Sequence, residues 1–103
     1  MTKLHMQSIL YKNLSNILKT MELDRTEIES RANRFGREVT AGEKNEVKEN
    51  SDSLLIELSV LVRFAEEAEI ITKSDASDWE YEADKLHEKC NDWSKKFTSH
   101  YAL

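Results

Sequence analysis

The chain has 103 residues, of which 34% are charged and 39% are hydrophobic, and it contains no proline and two glycines. This composition excludes collagen-like, proline-rich and low-complexity classes, and it favours one domain built from long helices. The formal net charge of −5 comes from 20 acidic and 15 basic residues that are mixed along the sequence. Because the basic residues form no stripe, we expect no nucleic-acid partner.

The sequence also indicates a compartment. Its single cysteine, Cys90, leaves no possibility of a disulfide within the chain, which favours a reducing environment. The first residues lack the continuous apolar run of a secretory signal. The most apolar segment, residues 54–65, is far shorter than the ~20 residues that a bilayer span needs. We therefore expect a cytoplasmic protein with no membrane association.

The first predicted helix covers residues 2–40. At 100° per residue, one series of apolar side chains keeps its phase along this whole stretch. Asp24 and Glu27 have the spacing of a capping box, so a break near Asp24 that gives two shorter helices stays an alternative. The absence of glycine and proline before Gly36 favours the continuous helix. The apolar series consists of Leu4, Leu10, Tyr11, Leu14, Ile17, Leu18, Met21, Ile28, Ala32, Phe35 and Val39.

The second predicted helix covers residues 43–71, after a break at Ala41 and Gly42, with Thr40 as a candidate N-cap. Its core-type residues alternate at spacings of four and three, the seam pattern of helical bundles and coiled coils. The seam residues are Val47, Ser51, Leu54, Leu58, Leu61, Ala65 and Ala68.

The third predicted helix covers residues 75–101, with Ser74 or Asp75 as its N-cap. Its seam follows the same alternation through Trp79, Ala83, Leu86, Cys90, Trp93, Phe97 and His100. Together the patterns predict an all-α, antiparallel bundle of three long helices, or of four if the first breaks near Asp24, as a single domain over residues 1–103. We expect a shared core cluster that buries Leu58, Leu61, Leu86, Trp93 and Phe97.

Some apolar residues exceed what such a bundle needs. Ile56, Val60 and Phe64 form a second stripe on the second helix, roughly 120° from its seam, with Ile71 near the same line. A turn at Gly42 would leave residues 1–11 as an overhang. Tyr81 points away from the seam of the third helix. Uncovered apolar surface usually marks an interface, so the protein-interaction candidates are Ile56, Val60, Phe64, Ile71, Leu4, Met6, Ile9 and Tyr81.

No pattern of residues indicates catalysis. His87 and Cys90 lie three residues apart, but the other helices offer no inward histidine that would complete a metal site. We therefore expect no enzyme activity, no metal and no cofactor. The sequence favours a non-catalytic protein-binding regulator or inhibitor that presents a helix face to another protein. The alternative is a structural subunit of a helical homo- or hetero-oligomeric assembly, of which a homodimer is the simplest form.

Overall fold

The computed structural model describes the backbone of residues 2–102 and the side chains of residues 2–95. Within that part of the chain it contains three α-helices and no strand, which confirms the predicted all-α bundle. The helices are α1 (Lys3–Arg34), α2 (Ala41–Glu67) and α3 (Lys73–Ala102). They form an elongated molecule of 53 × 26 × 16 Å.

The contacts between helices fix their directions. Tyr11 stacks on Trp79, and further along the bundle the Cys90 thiol donates to the Met21 carbonyl oxygen at 3.5 Å, so α1 and α3 run parallel. α2 runs antiparallel to both and packs more extensively on α3 than on α1. α1 passes through Asp24 without a break, so the three-helix prediction is the correct one.

α1 is shorter than predicted because Gly36 reverses the chain. Gly36 has a φ of +63°, and the N–H of Arg37 donates to the carbonyl of Ala32 at 2.9 Å. A left-handed residue just after the last turn satisfies the end carbonyls in this way, and glycine adopts that conformation without a steric penalty. The predicted apolar series therefore stops early: Phe35 is 69% exposed, and Val39 is half-buried outside the helix.

α2 also ends earlier than predicted, at Glu67 instead of residue 71. Here the left-handed position is taken by Glu69, with a φ of +59°, and the N–H of Ile70 donates to the carbonyl of Ala65 at 2.9 Å. The reversal has the same form as the one at Gly36. A glutamate gives no sequence signal for it, because side chains other than glycine and asparagine rarely adopt this conformation.

Two reciprocal threonine caps start the later helices. Thr40 and Glu43 form a capping box at α2, which confirms Thr40 as its N-cap. At α3 the N–H of Asp75 donates to the Thr72 hydroxyl, and the Asp75 carboxylate accepts from the Thr72 N–H. The cap of α3 is therefore Thr72 and not Ser74 or Asp75, since only the threonine lies three residues before a carboxylate that reaches back.

The core is one cluster to which all three helices contribute. Leu58 is fully buried there, as predicted, whereas Leu61 and Leu86 are half-buried at its edge. Trp93 is half-buried outside the cluster, and Phe97 and His100 lie outside the described side chains. The buried members are Leu14, Ile17, Met21, Leu58, Val62, Ala65, Ile71, Ala76 and Ala83.

Trp93 instead covers a lysine. The ammonium of Lys44, a residue with only 4% of its surface exposed, lies 4.6 Å from the centre of the Trp93 ring and donates to the Trp93 carbonyl oxygen at 3.4 Å. Burial lowers the pKa of Lys44 from its ordinary value. An aromatic face and a carbonyl both stabilise a partly desolvated ammonium, so Trp93 compensates part of the cost of burying Lys44.

Candidate protein-binding surface

The outer face of α2 carries three neighbouring exposed apolar side chains. Ile56, Val60 and Phe64 are 64%, 47% and 67% exposed, and we call them the α2 stripe. Residues four apart on a helix lie one turn above each other, so the three side chains form one continuous patch about 12 Å long. Their predicted exposure is confirmed.

The α2 stripe lies almost opposite the core. The buried side chains of α2, which include Val47, Leu58, Val62 and Ala65, centre about 160° from the stripe at 100° per residue. The predicted angle of roughly 120° refers to the seam, and the buried face lies farther from the stripe because it extends past the seam to Val62. Since α1 and α3 both pack against the buried side, neither helix covers the stripe with any side chain that the structure describes.

Ile71 does not belong to this surface. Its side chain is 5% exposed and joins the core cluster, so its place among the interaction candidates was wrong. The prediction assumed that α2 continued to residue 71. The reversal at Glu69 turns the chain back over the end of the bundle, and Ile71 is inserted between the helices.

The N-terminal overhang is shorter than predicted. The Gln7 side-chain amide donates to the carbonyl of Ile70 at 2.6 Å, so α1 is already docked at this point. Met6 is half-buried, and only Leu4 and Ile9 among the candidates on α1 stay exposed. The prediction assumed a turn at Gly42. Because the chain reverses at Gly36 instead, α1 and α2 align differently and the overhang is shorter.

Tyr81 is exposed on α3, as predicted. Its ring is 62% exposed, and the Lys85 ammonium lies 5.1 Å from the ring centre. A surface tyrosine beside a lysine is also a common solvated arrangement. Because Tyr81 lies on another helix from the α2 stripe, it forms a separate candidate contact.

A groove between α1 and α2 borders the stripe. Its floor is apolar, with Ile17 buried and Leu54 and Leu61 half-buried, and its α1 wall is polar and uncharged. Sequence reasoning missed this groove because it depends on how the two helices align. The residues that line it are Asn13, Asn16, Ile17, Thr20, Leu54, Glu57 and Leu61.

His87 and Cys90, which are both on α3, make separate contacts. His87 Nε2 lies 2.5 Å from a carboxylate oxygen of Asp52, whereas the Cys90 thiol donates to Met21. Burial raises the pKa of Cys90, more than the nearby Ser51 hydroxyl lowers it. Among the described residues, no three histidine, cysteine, aspartate or glutamate side chains are grouped so that they could hold a metal ion.

Within the described residues, no helix combines the length and the apolar content required to cross a bilayer. Comparison with protein-family models, with curated proteins and with solved structures gives no match to this chain. In its own geometry, the α2 stripe and the groove beside it form the candidate site.

Proposed function

We propose that this chain is a non-catalytic, protein-binding regulator or inhibitor, and that the α2 stripe is the face it presents to another protein. It would act in the cytoplasm, without a cofactor, by covering a site on its partner. The observation that carries the proposal is the exposure of Ile56, Val60 and Phe64 on the side of α2 farthest from the core.

Exposure of large apolar side chains to water is unfavourable. Burying one large aliphatic or aromatic side chain is worth about 1.5–3 kcal/mol relative to leaving it in water. Three such side chains in adjacent turns form the kind of compact apolar patch that is found at the centre of interfaces. None of the three supports the core, so folding alone gives no reason for apolar residues at these positions.

The alternative is a structural subunit that uses the same stripe to bind further copies of itself. The two functions differ in what covers Ile56, Val60 and Phe64. A regulator remains monomeric until its partner is added, whereas a homodimer buries the stripe at all but the lowest concentrations. Sedimentation equilibrium of the pure chain over a wide concentration range separates them.

The test variant is Val60→Glu combined with Phe64→Lys, which places two charges in the stripe and none in the core. A matched control is Thr26→Glu combined with Ser30→Lys, which adds the same two charges at exposed positions of α1. Both variants should keep the helical circular dichroism of the parent. Only the stripe variant should lose association, either with itself or with a protein captured by the immobilised parent and then purified.

The proposal fails if the parent is monomeric at every concentration and the stripe variant binds each such purified protein as tightly as the parent does. The exposed side chains would then have no role in binding. Equal losses in the stripe variant and the α1 control would also contradict it, since added surface charge alone would explain them.

A further inference from the structure

We infer that the occupant of the α2 stripe is a basic amphipathic helix from a partner protein. This inference rests on the proposed function and specifies the chemistry of the partner. Two observations on this surface carry it: the charges around the stripe and the groove beside it.

The charges around the stripe are mainly negative. Two exposed glutamates, Glu57 and Glu67, lie beside the stripe. Two more, Glu46 and Glu49, continue the same side of α2 toward its N-terminus, and all four lie within about 60° of the line through Val60 at 100° per residue. On that side of α2 they are opposed by one exposed cation, Arg63. A partner that buries the stripe must approach Glu57 and Glu67, and a longer partner helix would also reach Glu49 and Glu46. Lysine or arginine side chains on its flanks would be attracted to these carboxylates.

The groove beside the stripe indicates where a partner helix would lie. Leu54, Leu61 and the buried Ile17 form an apolar floor between α1 and α2, beside the stripe. A groove between two packed helices accepts a third helix whose apolar side chains recur at i, i+3, i+4 and i+7. On the α1 side the wall consists of amides and a hydroxyl, so the strongest attraction to cations lies on the α2 side, at Glu57 and beyond.

A second copy of this chain fits the surface less well. Pairing two stripes would bring both sets of glutamates together, and each chain already has a net charge of −5. A stable interface buries about 800 Å² on each partner. Three side chains of a single helix supply only part of that area, so a stable occupant must also extend over the groove beside the stripe.

The inference is tested with two synthetic amphipathic peptides of about 20 residues, long enough to form a helix on binding. Both carry leucine at the same i, i+3, i+4 and i+7 positions. One has lysine at its flanking positions and the other has glutamate. Fluorescence anisotropy of the labelled peptides, titrated with the full chain, should show at least tenfold tighter binding of the lysine peptide. Val60→Glu combined with Phe64→Lys should reduce that binding at least tenfold.

A charge reversal tests whether the glutamates beside the α2 stripe are responsible for the preference for the lysine peptide. Glu57→Lys combined with Glu67→Lys should remove the preference for the lysine peptide or reverse it. The matched control is Asp84→Lys combined with Glu88→Lys, which changes the net charge equally at exposed positions of α3. This control should keep at least a fivefold preference for the lysine peptide. Raising the salt concentration should weaken binding of the lysine peptide to the parent.

Each other outcome overturns the inference. Equal binding of both peptides, lost in the stripe variant, would show an apolar site without charge selection and would leave the proposed function intact. If both charge reversals changed the preference for the lysine peptide equally, the net charge of the chain would explain that preference. If neither peptide binds, the occupant is not a basic helix. A parent that sediments as a dimer and a stripe variant that sediments as a monomer would then identify a second copy.

Discussion

The indole of Trp79 stacks on the phenol of Tyr11, with the ring centroids 5.6 Å apart and the planes 30° from parallel. This contact joins the first third of α1 to α3. Together with the hydrogen bond from Gln7 to the Ile70 carbonyl, it secures the part of α1 that lies farthest from the turn at Gly36.

A double-mutant cycle measures the stack. Tyr11→Leu and Trp79→Leu should each destabilise the fold, and the coupling between them should be about 0.5–1.5 kcal/mol, the usual value for an aromatic pair beyond its buried area. The measurement is urea unfolding of the parent, both single variants and the double variant. Tyr81→Leu, at the exposed tyrosine of α3, serves as the control and should change stability by less than about 0.5 kcal/mol. Additive single effects would show that the rings do not interact.

The two sides of α2 should respond differently to truncation. Leu58→Ala removes a fully buried side chain from the core and should cost about 2–5 kcal/mol. Ile56→Ala removes a side chain that is 64% exposed, so its cost should stay within about 0.5 kcal/mol. Urea unfolding gives both values, provided that the unfolding free energy depends equally steeply on urea concentration in both variants. Similar losses for the two variants would mean that α2 is rotated from the orientation described.

Substitutions at the two residues in the left-handed conformation, Gly36 and Glu69, should change stability in opposite directions. Gly36→Ala should lower the free energy of unfolding by about 1 kcal/mol, because a side chain is strained at a φ of +63°. Apart from the two adjacent residues, its new methyl group would meet no atom within 4 Å, so the loss would come from local backbone strain and not from crowding against packed neighbours. Glu69→Gly should raise stability by up to about 1 kcal/mol by relieving the same strain. Thermal and urea unfolding report both, and a loss on Glu69→Gly would contradict the reversal described at the end of α2.

The Arg37–Glu43 pair predicts a pH dependence. The Arg37 guanidinium donates to the Glu43 carboxylate at 2.8 Å, and the Thr40 N–H donates to it as well, which lowers the pKa of Glu43 from 4.5 to about 2. A carboxyl whose pKa is lower in the folded state adds stability above its unfolded pKa, and that stability is lost as the pH falls through the folded value. Glu43→Gln should therefore be less stable than the parent at pH 6, and the difference should shrink between pH 4.5 and 2.

Urea unfolding at a series of pH values measures this difference. Arg37→Gln removes the largest cause of the shift, so it should bring the pKa of Glu43 back toward 4.5. A stability difference between parent and Glu43→Gln that is constant from pH 6 to pH 2 would show that ionisation of Glu43 does not contribute.

The Cys90 thiol should be protected from reagents. It is 3% exposed, and burial raises its pKa above the ordinary 9.0, so both access and thiolate formation are reduced in the folded state. Reaction with a disulfide reagent at pH 8 should be roughly 100-fold slower than in urea, because it requires local opening. The control is Ser53→Cys in a Cys90→Ala background, which should react quickly because residue 53 is exposed. Equal rates at the two positions would place Cys90 at the surface.

The raised pKa of Cys90 should also affect the stability of the protein at high pH. A thiol whose pKa is higher in the folded state favours folding while it is protonated, so its contribution declines as the pH rises above 9. The parent should lose more stability between pH 8 and 10 than Cys90→Ala does. An equal loss would leave the raised pKa without support.

Local patterns were sufficient for much of this molecule. The phase of the apolar residues across Asp24 predicted one continuous α1, and the position of Thr40 just before Ala41 and Gly42 predicted it as the cap of α2. Leu58 was correctly predicted in the core, and Ile56, Val60 and Phe64 were correctly predicted as exposed. These features depend on helical periodicity and on side chains within one turn of each other, which the sequence specifies directly.

The remaining features required the packed structure. Ile71 was predicted at the surface but is buried, because α2 ends in a left-handed glutamate that no sequence rule identifies. Trp93 lies beside the core, where its ring and its carbonyl contact the buried ammonium of Lys44 on another helix. The groove beside the α2 stripe exists only once α1 and α2 have their alignment. A sequence determines which side chains share a helix face, but which part of that face is buried depends on the free energy of packing against neighbours that are distant along the chain.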